Sequence, residues 1–213
     1  MSKPGTGKDA VLARFGVSRE SGERLDLYVS LLLAWQARIN LIGPSTRDDV
    51  WTRHVADALQ LLPLLPAGLT RLADLGSGAG IPGLILAIAR PLEVHLFESN
   101  LKKGAFLREA ARQTGAKAFV HSARIEAGGQ LEAVRLKAGA VTARALAPLP
   151  KLLDYAQPFL ENGAVGYFHK GQDVDAELTD ATKSWKMQVE KHPSLTDSRG
   201  VILVVKEAHR VPC

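Results

Sequence analysis

Residues 72–83 read L-A-D-L-G-S-G-A-G-I-P-G and hold the spacing best suited to chemistry. Asp74 closes a short apolar run. The chain then passes Gly76, Gly78, Gly80 and Gly83 before the apolar stretch 84–89. Glycines permit positive φ and let backbone approach a ligand with no Cβ in the way. The N-terminus of a following helix adds a positive end, so the order strand, glycine loop, helix is predicted. Pro82 suits the first helical turn, where a missing N–H costs nothing. Glu98, at the end of the next predicted strand, is placed to accept hydrogen bonds from ribose hydroxyls. His54 and Asp57 fall one helical turn apart, as an acid–base pair or as a buried polar contact.

The elements that must hold these residues follow from periodicity. Between residues 18 and 39 the apolar Leu25, Tyr28, Leu31, Leu32, Trp35 and Ile39 recur at steps of three and four, one face of a helix capped by Ser18. Gly43-Pro44 stops it. A second helix is expected from S-T-R-D, where Ser45 and Asp48 match a capping box, with Val50, Trp51, Val55, Leu59 and Leu62 facing the core. Strands are predicted at 94–97, 118–120, 140–145 and 164–168, and helices at 105–113, 124–131, 149–160 and 174–185. Such alternation argues for a mostly parallel sheet covered on both faces. The link between candidate strands 187–191 and 199–205 is too short for a crossover, which makes them an antiparallel hairpin. Residues 1–66 thus read as an N-terminal helical extension, with a loose segment at 1–8, and 67–213 as one compact unit.

Composition narrows the classes. The chain has 213 residues, 46% of them hydrophobic, and a formal charge of +5. No apolar run approaches the roughly 18 residues of a membrane span, and the first residues lack the apolar core of a signal peptide, so a cytoplasmic protein is expected. The one cysteine, Cys213, and six scattered histidines give no metal-ligand spacing; no metal is expected. Between 101 and 144, Lys102, Lys103, Arg108, Arg112, Lys117, Arg124, Arg135, Lys137 and Arg144 face only Glu109, Glu126 and Glu132. That bias fits a nucleic-acid surface or a solvated face. Gly78, Gly80 and Gly83 satisfy the G-x-G-x-x-G of NAD binders. The acid two residues before the first glycine, the tight D-x-G-x-G-x-G spacing and the terminal hairpin favour S-adenosylmethionine over an NAD(P)-dependent oxidoreductase.

The chain resembles the RsmG (GidB) methyltransferases, which modify N7 of a guanine in the 530 loop of bacterial 16S rRNA. W-Q-A-R-I-N-L at 35–41 is similar to the family's W-N-x-x-x-N-L, and R-H-V-A-D-A at 53–58 to its R-H-x-x-D-S. D-L-G-S-G-A-G-I-P-G, E-S-N-L-K-K-G-A-F-L, A-R-A-L-A-P-L and H-K-G at 169–171 continue the match in order. The resemblance implies a Rossmann-like S-adenosylmethionine-dependent methyltransferase fold with a mostly parallel seven-stranded sheet. It implies that the enzyme is a 16S rRNA (guanine-527 N7)-methyltransferase, acting on 16S rRNA or the small ribosomal subunit. A non-catalytic RNA-binding assembly factor with the same fold is the alternative. Cofactor contacts are implied from Gly76, Gly78, Ile81, Glu98, Ile125, Glu126 and Arg144, and RNA contacts from Lys102, Lys103, Arg124 and Lys170. No catalytic residue is assigned, with Arg144, His54 and Asp57 as positioning candidates. The chain departs from the family at Gln36, in place of Asn, and at Ala58, in place of Ser.

Overall fold

The structure, a computed structural model, describes residues 7–122, 124–125 and 135–211. Its centre is a seven-stranded sheet in the order β3-β2-β1-β4-β5-β7-β6. The strands are β1 (Arg71–Leu75), β2 (Glu93–Phe97), β3 (Ala118–His121), β4 (Ala140–Arg144), β5 (Val165–Lys170), β6 (Trp185–Pro193) and β7 (Val201–Arg210). The first five pair in parallel, β7 runs antiparallel to β5, and β6 closes the hairpin. The order reverses between β1 and β4, so the crevice beyond their carboxyl ends is where an α/β sheet of this kind opens to ligands.

Side chains alternate across the sheet with period two. Leu72, Val94, Leu96, Ala140 and Tyr167 pack with α2 (Arg19–Gln36), α4 (Gly83–Ala89) and α5 (Leu101–Thr114) on one face. Ala73, Leu75, Phe97, Val141, Ala143 and Phe168 pack with α6 (Leu149–Leu160) on the other, where α7 (Val174–Ala181) adds Ala181. Helix α1 (Lys8–Arg14), unheralded by any long periodicity, adds Val11 to the first cluster. Buried apolar residues from Val11 to Leu65 therefore share one cluster with the sheet.

Helix ends follow local chemistry. Ser18 Oγ accepts from Ser21 N at the start of α2. Asn100 Oδ1 accepts from the amides of Lys102 and Lys103 at the start of α5, and Gly115 closes that helix at φ 63°. The capping box expected of Ser45 and Asp48 does not form. Pro44–Asp49 is 3₁₀, Trp51–Ala56 is a turn of π-helix, and only Asp57–Leu59 (α3) is α-helical. Thr46 makes the local bond there, its Oγ1 donating to Gly43 O at 2.8 Å. The polar helix expected to reach Trp185 ends at Ala181, because Trp185, Met187 and Val189 alternate inward as the start of β6. The helix expected at 124–131 lies almost wholly outside the described residues. No helix among them is long and apolar enough to cross a membrane.

Gly83 begins α4 directly on the buried Asp74 side chain: a Cβ at Gly83 would lie 2.6 Å from Asp74 Cβ. Gly83→Ala is expected to lower stability by about 1–3 kcal/mol, the usual cost of overpacking. Urea denaturation checks this, and an unchanged midpoint would show that α4 can slide away from Asp74.

Candidate active site

Around the carboxyl ends of β1 and β4 the glycine loop forms a wall shared by two clefts. At Gly76 (φ 67°), Gly78 (φ 55°) and Gly80 (φ 85°) the backbone is left-handed. At Gly78 an added Cβ would reach nothing nearer than Gly76 O at 3.8 Å, so that face of the loop is open. Tyr28 on α2 donates its hydroxyl to Ala79 O at 2.8 Å, and Ser77 N donates to Phe97 O at 3.0 Å. Under the loop, Asp74 Oδ1 accepts from Thr142 Oγ1 at 2.7 Å.

The first cleft, about 400 Å³, is lined by Gly76, Gly78, Phe97, Glu98, Ser99, Lys103, Arg124, Ile125, Leu146 and Tyr155. Glu98 Oε2 accepts from Gly78 N at 2.9 Å and Oε1 from Asn100 N at 2.7 Å. An ionised carboxylate has about four lone-pair sites, so Glu98 retains capacity for hydroxyl donors while fixing the loop's shape. The apolar walls of Phe97, Ile125, Leu146 and Tyr155 suit a flat heterocycle.

The second cleft, about 280 Å³, lies across the loop and is lined by Leu41, Ile42, Gly43, His54, Ser77, Ala79, Ile81, Lys103 and Arg144 along with Gly76 and Gly78. Its floor is a hydrogen-bond chain. Arg144 Nη1 donates to His54 Nδ1 at 3.0 Å, which puts the imidazole proton on Nε2 to donate to Thr46 Oγ1 at 2.8 Å. Burial, and after it the Arg144 charge, lowers the His54 pKa to about 4. His54 is thus neutral near pH 7 with its lone pair already engaged, and has no free basic nitrogen.

Asp57 does not bond to His54; Arg144 stands between them. Asp57 Oδ2 accepts from Arg144 Nε at 3.0 Å, and Oδ1 from Gln60 Nε2 at 2.7 Å and Thr196 Oγ1 at 2.6 Å. Arg144 Nη2 donates to Arg53 O at 3.1 Å. His169 Nε2 donates to Asp57 O at 2.8 Å. The pair read as acid–base or structural belongs to a hydrogen-bonded hub joining the π-turn to β4, β5 and the β6–β7 connection.

The remaining residues singled out from sequence are placed as follows. Ile81 and Arg144 line the second cleft and not the first. Lys103 lines both, Lys102 is exposed on the first turn of α5, and Arg124 is exposed at the rim of the first. Glu126 lies outside the described residues. The Lys170 side chain is buried, its ammonium paired with Glu177 and donating to Ala147 O at 3.1 Å. Glu177 also accepts from Leu149 N at 2.6 Å, so Lys170 shapes the β4–α6 loop instead of offering a free charge. Ala58 is fully buried in the apolar cluster and presents nothing to either cleft.

Three positions had little sequence signal. Ala145, which touches both clefts, is held at φ 52°, a strained conformation of the kind concentrated at functional sites. Gln36 is buried, its Oε1 accepting from Leu41 N at 2.8 Å and Ile42 N at 2.9 Å while Nε2 donates to Ile42 O at 2.9 Å. The departure from the family's Asn thus falls on the group that shapes the outer wall of the second cleft. Tyr28 holds the opposite wall from the same helix, and its only signal was a hydroxyl on an apolar stripe, which must find a partner when buried.

Comparison with known proteins adds to this geometry. The family model described as GidB, rRNA small subunit methyltransferase G, matches residues 21–203. A protein of Methylobacterium nodulans named ribosomal RNA small subunit methyltransferase G is 51% identical, covering 96% of this chain and 98% of its own length. One of the same name from Paramagnetospirillum magneticum is 49% identical, covering 96% and 97%. Among solved structures, cofactor-bound Rv0187 from MTB aligns with a TM-score of 0.62 at 13% identity, over 97% of this chain and 99% of that one. An rRNA methylase from Streptococcus thermophilus aligns with a TM-score of 0.51 at 11% identity, over 70% and 92%. These two likenesses concern the fold, which is the Rossmann-like methyltransferase fold.

Two buried groups titrate in opposite senses. His54 titrates near 4 when folded against 6.5 when free, so between those values the unfolded chain holds more protons and stability rises with pH. Burial, which also lowers the His169 pKa, works in the same direction there. Asp74 is raised by burial to about 6 from 3.8, so across that interval the folded chain holds more protons and stability falls with pH. Asp74→Asn removes the opposing slope, and its denaturation midpoint should climb more steeply between pH 4 and 6 than that of the wild type. Parallel profiles would mean that Asp74 titrates as a free carboxylate.

Tyr28→Phe, which removes one hydrogen bond to the loop, should cost about 1 kcal/mol of stability. Thermal melting of the variant beside the wild type checks it.

Proposed function

The chain belongs to the rRNA small subunit methyltransferase G (GidB) family, and from that premise we propose that it methylates N7 of guanine-527, in the 530 loop of bacterial 16S rRNA, using S-adenosylmethionine. The observation that carries this reading is that one glycine loop walls both an acid-bearing cleft and a slot floored by Arg144 and His54. Donor and acceptor would meet across Gly76 and Gly78.

The residues fit the cofactor. Glu98 keeps acceptor capacity for ribose hydroxyls, the open Gly78 lets backbone come close, and Ile125, Phe97 and Tyr155 offer apolar walls to an adenine. When bound, S-adenosylmethionine supplies a methyl group on a sulfonium, activated for displacement. Guanine N7 has a lone pair and no proton to lose, so the chain needs no general base. A neutral His54 with Nδ1 engaged is consistent with that requirement, as is Asp57 with both oxygens occupied. Gly76, Gly78, Ile42 and Ala79 confine the slot, while Arg144, held at three of its nitrogens, fixes its floor. Positioning of this kind can supply several kcal/mol of barrier reduction. Lys102, Lys103 and Arg124 lie beside the opening as phosphate contacts, and a guanine in a ribosomal loop would enter splayed from its stack.

Glu98→Ala should weaken S-adenosylmethionine binding at least tenfold by calorimetry, whereas Lys103→Ala should leave it nearly unchanged and lower methylation of the RNA. Labelled methyl transfer to small-subunit RNA from a strain lacking this activity, followed by mapping of the N7-methylated base by chemical cleavage, tests the whole reading. Label at another base, or none, would refute it.

A further inference from the structure

A third cleft, about 220 Å³, shares Arg144 and Ala145 with the acceptor slot and does not include Glu98 in its lining. Its walls are Arg53 on the π-turn, His169 and Gly171 at the end of β5, and the connection from Ser194 to Gly200. A seven-residue hairpin connection has no intrinsic need for order, yet this one is tied down along its length. Ser194 N donates to Gly200 O at 2.9 Å and Gly200 N to Asp197 O at 2.9 Å. Leu195 N donates to Gln60 Oε1 at 2.8 Å, and Thr196 Oγ1 to Asp57. The cleft is therefore preformed, and anchored to the same Asp57 that fixes Arg144.

Its lining carries Arg53, Arg144 and Lys170 against Asp57 and Asp197. Arg144 and Lys170 are held in close ion pairs within the protein. Arg53 meets Asp197 only at 3.8 Å, with the two side chains 44% and 36% exposed. Arg53 thus has most of its guanidinium donors available. A polynucleotide whose base enters the slot must continue on either side of it. On one side lie Lys103 and Arg124 beside the space assigned to the cofactor; on the other lies this cleft, where the Asp57 carboxylate is engaged by Arg144 and Arg53 is the cation left with donors to offer.

We propose that this cleft binds the ribose-phosphate of a nucleotide flanking the target guanine, with Arg53 as its phosphate contact. The assignment rests on the methyl-transfer reading above and adds to it a second RNA surface, whose lining includes none of Lys102, Lys103 and Arg124. The Arg53–Asp197 pair then acts as a competitor that the incoming phosphate displaces.

The test measures methylation kinetics of 16S rRNA with Arg53→Glu, Arg53→Lys and Asp197→Asn beside the wild type, with cofactor affinity and melting temperature for each. Arg53→Glu should raise KM for the RNA at least tenfold while cofactor affinity and melting temperature stay put, and Arg53→Lys should recover much of the loss. The salt dependence of RNA affinity for Arg53→Glu should flatten by about 0.7–0.9 in log–log slope, one phosphate contact. Asp197→Asn should move KM the other way, downward, since it removes the competing carboxylate while its amide oxygen can still accept from Arg199 N. An Arg53→Glu enzyme with wild-type KM and salt slope overturns the subsite alone. A rise in KM for Asp197→Asn equal to that for Arg53→Glu also overturns it, because the pair would then be structural. If the wild-type enzyme transfers no methyl to the RNA, the functional reading falls and this subsite with it.

Discussion

The contact between Asp57 and Arg144 is the constraint on which the site depends. A largely buried ion pair gains little by itself, because desolvation offsets most of the Coulomb attraction unless the remaining lone pairs and protons are satisfied. Here they are: Asp57 accepts from Gln60, Thr196 and Arg144, and Arg144 donates in turn to His54 and Arg53 O. Removing one member would strand the others in poorly solvated surroundings. The network is therefore cooperative, and it joins four segments distant in sequence at one point beyond the sheet. His54 owes its tautomer to Arg144, and the floor of the slot owes its shape to both.

The glycine loop obeys a second constraint that complements the first. Left-handed glycines alone would make it soft, since each loses more conformational freedom on folding than any other residue. Contacts on three sides remove that freedom: Tyr28 holds Ala79 from α2, Glu98 holds Gly78 from β2, and Asp74 supports Gly83 from below. Helix α2 reaches further, since Gln36 fixes Leu41 and Ile42 against the same opening. A helix outside the sheet thereby sets both walls of the acceptor slot, which explains why the N-terminal segment shares an apolar cluster with the sheet.

Much of this was legible in sequence. Four glycines after an apolar run, Asn100 before a helix and Gly115 after it, and a hairpin forced by a short link all act through local backbone chemistry, and those elements lie where the pattern places them. Residues 44–59 did not read correctly. Their apolar positions fit an α-helix, but apolar spacing does not distinguish α from π winding, and the chain uses a π-turn that carries Arg53 and His54. The relation of His54 to Asp57 was invisible for the same reason: the group between them, Arg144, comes from a strand ninety positions later. For Lys170, which the resemblance implies as an RNA contact, the pairing with Glu177 was not legible, because Glu177 lies on the next helix and only the fold brings the two together. Trp185 misled by composition, since one large apolar residue after a polar helix fits the end of that helix as well as the start of an edge strand.

The charge arrangement bears on how the proposed reaction can work at all. Methyl transfer from a sulfonium to a neutral base moves a positive charge across the slot without creating or destroying one. A fixed cation beside the acceptor would oppose that movement, and a fixed anion would hold the charge at one end. The floor of this slot offers neither in excess: Arg144 is neutralised by Asp57 at 3.0 Å, and burial with the Arg144 charge keeps His54 uncharged. Of the cations proposed to meet RNA, Lys102, Arg124 and Arg53 lie outside the lining of the slot, and Lys103 belongs to it. On the proposed reading most phosphate contacts are thus kept apart from a floor whose charges are paired, which leaves geometry as the main lever on the rate. Asp57, with a donor on each oxygen and Arg144 between it and His54, adds no unpaired anion to that floor.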